Sequence, residues 1–182
     1  RCVFLDANLG GLDLTGCDFT MACFTRADLR RAKLVDARIT GATFAEAKLD
    51  TADLSGAQAA GAYFADATLR GTKLAKAMLR GATFSRADLG FANLAGADLR
   101  STMLDHLKAE GALFVGADLA RADLAHADVS RADFTGADLG RANLHGLRDD
   151  GAAFSGAQVA TARRTDLDRL EAEGWMPPPE GG

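Results

Sequence analysis

The chain has 182 residues, 48% of them hydrophobic and 25% charged, which suffices for one domain with a sizeable core. Its 25 acidic residues against 21 basic ones leave a formal charge of -4 and exclude a general nucleic-acid or acidic-membrane binder, because phosphate affinity needs a basic excess. The sequence has no run of about 18 apolar residues to span a bilayer, and the opening RCVFLDANLG lacks the order of a secretory signal, so the expected location is cytoplasmic.

The first predicted element is a tandem repeat of period five. ADLSG (52–56), ANLAG (92–96), ADLAR (117–121) and ADFTG (132–136) share one phase, and central residues at 4, 9, 14 and so on to 159 define 32 units without an insertion or deletion. The centre is Leu in 17 units and Phe in nine; the exceptions are Ile39, Ala59, Ala109, Val129, Asp149 and Val159. Two positions earlier, 25 units carry Ala, which reads as a steric limit near an axis. Gly closes 14 units, where a turn with positive φ is expected.

A period of five is neither helical nor the two-residue alternation of a strand: at about 100° per residue, successive centres would smear around every face of a helix. Two inward and three outward positions per unit suggest a coil that turns a corner at every unit. The A-(D/N)-(L/F)-x-x units over residues 2–161 resemble the pentapeptide-repeat family. That resemblance implies an all-β solenoid, a right-handed quadrilateral β-helix with four units per coil. The 32 units then make eight coils, about 38 Å long at about 4.8 Å per coil. The expected organisation is a solenoid over 1–161, a capping helix and apolar cap over 162–176, and a Pro/Gly tail over 177–182.

Period-20 columns test the four-unit coil. One face reads Phe4, Phe24, Phe44, Phe64, Phe84, Leu104, Leu124, Leu144 and the opposite face Leu14, Leu34, Leu54, Leu74, Leu94, Phe114, Phe134, Phe154. A Phe column facing a Leu column conserves the cross-section of the core. Outward, Asp13, Lys33, Asp53 and Lys73 alternate in charge, whereas Asp98, Asp118 and Asp138 form a candidate acidic stripe with Arg100, Arg121 and Arg141 nearby. Tyr63, Met78, Phe91, Met103 and Leu113 are expected outward as a candidate interaction surface, with Phe91 between Gly71 and Gly111. His106 and His126 should stack beside Asp105, Asp123 and His145; surface histidines are the simpler reading than a metal site, which needs three or four converging ligands.

Two places depart from the pattern. At 101–111 Thr102, Leu107 and Ala109 replace the usual inward set, and a kink or small bulge is expected there. At 145–151 Asp149 takes a centre position; a lone buried carboxylate is costly, so this coil should bulge or open to water. After 161 the period stops. Thr165 can cap a short helix over about 166–173, followed by Trp175 and Met176, to cover the end of the last coil. Leu170, Trp175 and Met176 are candidate self-association residues, since dimers through this end occur in the resembled family.

Nothing in the chain reads as catalytic: G-x-S-x-G, H-E-x-x-H and a phosphate-cradling loop are missing, and no cysteine stands beside a histidine, so no cofactor or metal is expected. Cys2, Cys17 and Cys23 read as free thiols. The expected function is a rigid scaffold or protein-interaction module. The start in phase at Cys2 without Met suggests the C-terminal part of a larger bacterial protein. The alternative implied by the resemblance is a DNA mimic that binds DNA gyrase, as fluoroquinolone-resistance members of the family do. Duplex DNA carries one charge per about 1.7 Å, so full mimicry along the rod needs about 22 unpaired negative charges. Residues 1–100 hold 11 acidic and 13 basic residues, 101–160 hold nine and five, and 161–182 hold five and three. Only the C-terminal half leans acidic.

Overall fold

The computed structural model describes residues 2–165, and these form a four-sided β-solenoid. The residue before each centre pairs in parallel with the residue 20 positions on, in unbroken order from Val3 with Cys23 to Asn143 with Arg163. Eight coils follow, each of 20 residues, beginning at 2, 22, 42, 62, 82, 102, 122 and 142. The faces are numbered here by their first centre: Phe4, Leu9, Leu14 and Phe19 for the first to the fourth.

Backbone bonding explains why five residues make a side. In the unit around Leu54, the Leu54 N–H donates to the Lys73 carbonyl at 2.7 Å, and the Gly56 N–H donates to Ala75 at 3.0 Å. The Asp53 N–H donates backwards to Ala32 at 2.9 Å, and Ala57 closes the corner onto Leu54 at 3.1 Å. Only the Ser55 N–H is left, and the Asp53 carboxylate accepts it at 3.1 Å. The same bond recurs for all 14 Asp and Asn residues that precede a centre. The (D/N) of the repeat is therefore backbone chemistry: a short acceptor satisfies the one donor that the ladder cannot reach.

At the end of every unit from Asp6 to Gly156 the chain takes a positive φ, the signature of a type II corner. Fourteen of these residues are glycines and 17 are not, among them Phe91 at 58° and Arg121 at 63°. The geometry of the corner thus overrides the usual reluctance of side chains to enter the left-handed region.

The core is a line of buried centres and axial alanines. Phe4, Phe24, Phe44, Phe64 and Phe84 stack with ring centres 4.7–4.8 Å apart and planes within 7° of parallel. The stack resumes on the third face with Phe114, Phe134 and Phe154. The end coils are the least covered: Phe4, Leu9, Leu14, Phe19, Phe154 and Val159 are only partly buried.

The expected kink at 101–111 is not there. Met103 and Lys108 keep their ladder partners on both sides, and the corners close from Thr102 onto Leu99 and from Leu107 onto Leu104. The reason is volume exchange: Leu107 takes the axial site where Ala109 takes the centre, and both are fully buried. Thr102 is buried with its hydroxyl donating to the Leu99 carbonyl at 2.7 Å, so its polarity is satisfied. Residues 145–151 do not bulge either, since Arg148 pairs with Asp128 and Ala152 closes the corner onto Asp149. Leu147 packs against the core in the axial site while Asp149 is exposed, so the coil does open to water at that point. The capping helix over about 166–173, with Leu170, Trp175 and Met176, lies outside the described residues.

Candidate interaction surface

The residue before each centre lies on the ladder and points outward, which makes a face a set of side-chain columns at one-coil spacing. Tyr63 and Met103 stand two coils apart on the first face, with Thr83 between them. Met78 stands on the fourth face and Leu113 on the third. These four, with Phe91 at the corner of the second and third faces, are all exposed, Phe91 most of all at 58%. They do not converge on one patch: they occupy three faces and a corner. Phe91 leans to one neighbour only. A methyl group on Gly111 would meet its ring at 2.8 Å, and the Arg70 guanidinium lies 5.4 Å from the ring centre. The ring thus covers Gly111 rather than standing between two glycines.

Each aspartate of the candidate acidic stripe commits one oxygen to the backbone. Asp98, Asp118 and Asp138 each accept the N–H two residues on, at 3.2, 3.1 and 2.8 Å. Arg100 reaches Asp98 at 2.5 Å and Asp118 at 3.4 Å, and that guanidinium holds the Asp98 carboxyl below the usual carboxylate range. Arg121 and Arg141 make no ion pair with the stripe among the described residues. Elsewhere several charges are neutralised by the neighbouring coil, as Lys33 with Asp13 at 3.4 Å, Lys73 with Asp53 at 3.3 Å and Arg86 with Asp66 at 2.7 Å. Asp28 pairs within its own unit, with Arg30, and its carboxyl is lowered to about 2 by that hydrogen bond.

His106 and His126 stack at 5.1 Å, and His145 meets His126 edge-on at 5.2 Å. His145 is 3% exposed, so it is not the surface histidine expected. Among the described residues no group of three His, Cys, Asp or Glu side chains is placed to hold a metal ion. Cys2, Cys17 and Cys23 are free thiols, and among the described residues no helix is long and apolar enough to cross a membrane. The acceptor bonds of the Asp and Asn side chains were missed from the sequence, although the recurrence of short acceptors before the centre was their signal.

Comparison with known proteins agrees with this geometry. Family models for a pentapeptide repeat region match residues 7–84, and models for pentapeptide repeats in eight copies match 82–119 and 112–146. No curated protein matches by sequence. Among solved structures, HetL, a pentapeptide repeat protein involved in regulating heterocyst differentiation in Nostoc sp. strain PCC 7120, is 28% identical over 88% of each chain with a TM-score of 0.43. Rfr23, a pentapeptide repeat protein of Cyanothece 51142, is 29% identical over 52% of this chain and 64% of its own, with a TM-score of 0.50. The trypsin-treated plasmid-mediated fluoroquinolone resistance protein QnrB1 is 20% identical over 97% of this chain and 89% of its own, with a TM-score of 0.58, a likeness of fold. With the period of five, the four-sided coil and the matched models all in register, the chain belongs to the pentapeptide-repeat family.

Proposed function

We propose that the chain is a non-enzymatic, rigid scaffold that presents its side-chain columns to a protein partner. The observation that carries this reading is the continuity of the ladder from Val3 to Arg163, with one line of fully buried centres through the inner coils. A rod so bonded holds outward residues at fixed spacing, as a repetitive binding surface requires. The exposed apolar residues Tyr63, Met78, Phe91, Met103 and Leu113 are the anchors it would offer.

The alternative, a DNA mimic that binds DNA gyrase, draws on the fluoroquinolone-resistance protein that shares the fold. The charge arrangement favours it less. Eleven aspartates precede a centre and turn an oxygen onto their own corner N–H, and many are also paired with Arg or Lys. A gyrase supercoiling assay decides between the readings. No inhibition at micromolar protein is expected; inhibition would transfer the assignment to the DNA mimic.

Self-association through the C-terminal residues is part of the same proposal, with Leu170, Trp175 and Met176 as its contacts. Sedimentation should show a dimer for the chain and a monomer for Trp175→Ala. A monomer in both removes self-association and leaves the scaffold reading intact.

A further inference from the structure

One groove gathers three arginines around a single carboxylate. It lies on the first face of the last two coils, encloses about 420 Å³, and is lined by Arg121, Arg141 and Arg163 with Ala122, Asp123 and Asn143. Arg121 and Arg141 occupy the same corner position one coil apart, and Arg163 sits on the ladder directly beyond Asn143. Like charges stacked across a ladder are unfavourable, and in this column no acid intervenes. Arg26, Arg38, Arg70, Arg86, Arg131 and Arg148 each have a carboxylate from a neighbouring coil. Arg121, Arg141 and Arg163 have none among the described residues.

The floor of the groove is already committed to holding the fold. The Asp123 carboxylate accepts the Asn143 amide at 2.8 Å and the Ala125 N–H at 3.0 Å, and the Asn143 side-chain oxygen accepts the His145 N–H at 3.2 Å. Asp123 thus supplies one negative charge against three positive ones. The flanking positions toward the fourth face are Ala120, Gly140 and Ala160, too short to cover the guanidinium groups.

We propose that this groove binds a small, multiply charged phosphate compound, with the three guanidinium groups as its ligands. Arginine suits the role because its planar fork gives two parallel donors to an oxyanion, and its charge does not depend on pH in the ordinary range. An anion there would relieve the stacked repulsion of Arg121 and Arg141, and a singly charged anion would leave a net positive charge behind. The chemistry therefore selects a di- or triphosphate over chloride or acetate.

Calorimetric titration of the full chain with sodium tripolyphosphate, inorganic phosphate and sodium chloride at matched ionic strength tests this. Tripolyphosphate should bind saturably at one site, phosphate more weakly, and chloride not at all. Arg121→Gln, Arg141→Gln and Arg163→Gln should each weaken tripolyphosphate about tenfold, as loss of one charge-assisted pair implies. Arg80→Gln, an exposed arginine on the fourth face, should leave it unchanged. Since all three arginines are exposed, the variants should keep the thermal midpoint of the parent, and each is to be compared at matched folded fraction. Absence of saturable binding, or an equal loss in Arg80→Gln, overturns the proposal.

Discussion

At the scale of single residues, the most economical device in the molecule is the Asp or Asn before the centre. It satisfies the corner N–H that the ladder leaves over, and it does so whichever face the unit occupies. Asn93 shows the neutral form of the device, accepting the Ala95 N–H at 3.0 Å. Asn93→Ala should therefore destabilise the chain by about 1 kcal/mol, the usual net worth of such a bond, while Asn93→Asp should be close to the parent. Urea unfolding of the three proteins checks this; equal midpoints for all of them would mean that the acceptor contributes nothing. Carboxylates in this position, and Asp66 at a corner, make stability depend on acid. Asp66 is held low by Arg86, Asp98 by Arg100, Asp128 by Ser130, and Asp28 is lowered to about 2 by Arg30. A depressed folded value contributes stability that is fully present above the unfolded Asp value of about 3.9 and is lost as pH falls below it. Urea midpoints measured from pH 7 to 2 should be level above about pH 5 and fall between about 4 and 2. A level profile to pH 2 would contradict the assignment.

At the scale of the coil, the axial and central positions share one fixed volume. Ala at the axis with Leu or Phe at the centre is the common solution, and Leu107 with Ala109 is the inverse one in the same space. Each residue alone is wrong for its place and the pair is right, so their energies should not add. Leu107→Ala should cost about 2–5 kcal/mol through a cavity, and Ala109→Leu about 1–3 kcal/mol through overpacking. The double variant Leu107→Ala/Ala109→Leu restores the common arrangement and should recover most of both losses. If the double variant is as unstable as the sum of the singles, volume exchange is not what keeps residues 101–111 regular. The Phe stack obeys a similar constraint across the core, crossing from the first face to the third between Phe84 and Phe114 without a break in the ladder.

At the scale of the whole molecule, the solenoid has no centre, and each coil rests only on its two neighbours. Stability should consequently be lowest at the ends, where the centres are partly exposed. Hydrogen exchange should reach its greatest protection in the coils from 22 to 141 and its least in the first. Uniform protection along the rod would show all-or-none unfolding. The surface is laid out in the same linear way: many charges are paired along the columns, and three arginines without a carboxylate partner among the described residues share one groove over the last two coils.

The sequence by itself determined the period, the phase and the number of coils, because a corner every five residues admits only one inward pattern and any slip would place polar residues on the axis. It also determined which side chains point outward, as the exposed Tyr63, Met78, Phe91, Met103 and Leu113 show. Only the tertiary structure decided where hydrogen-bond and charge partners lie. Asp28 could have paired along its column with Lys48 and pairs within its unit with Arg30 instead. Arg121 and Arg141 could have neutralised Asp118 and Asp138 and line a groove with Arg163. Whether residues 101–111 and 145–151 would kink was equally undecidable from residue types, because it depended on how Leu107 and Leu147 fill the axis. Repetition transmits backbone geometry with certainty, but long side chains choose among neighbours within about one coil of each other, and that choice is made in three dimensions.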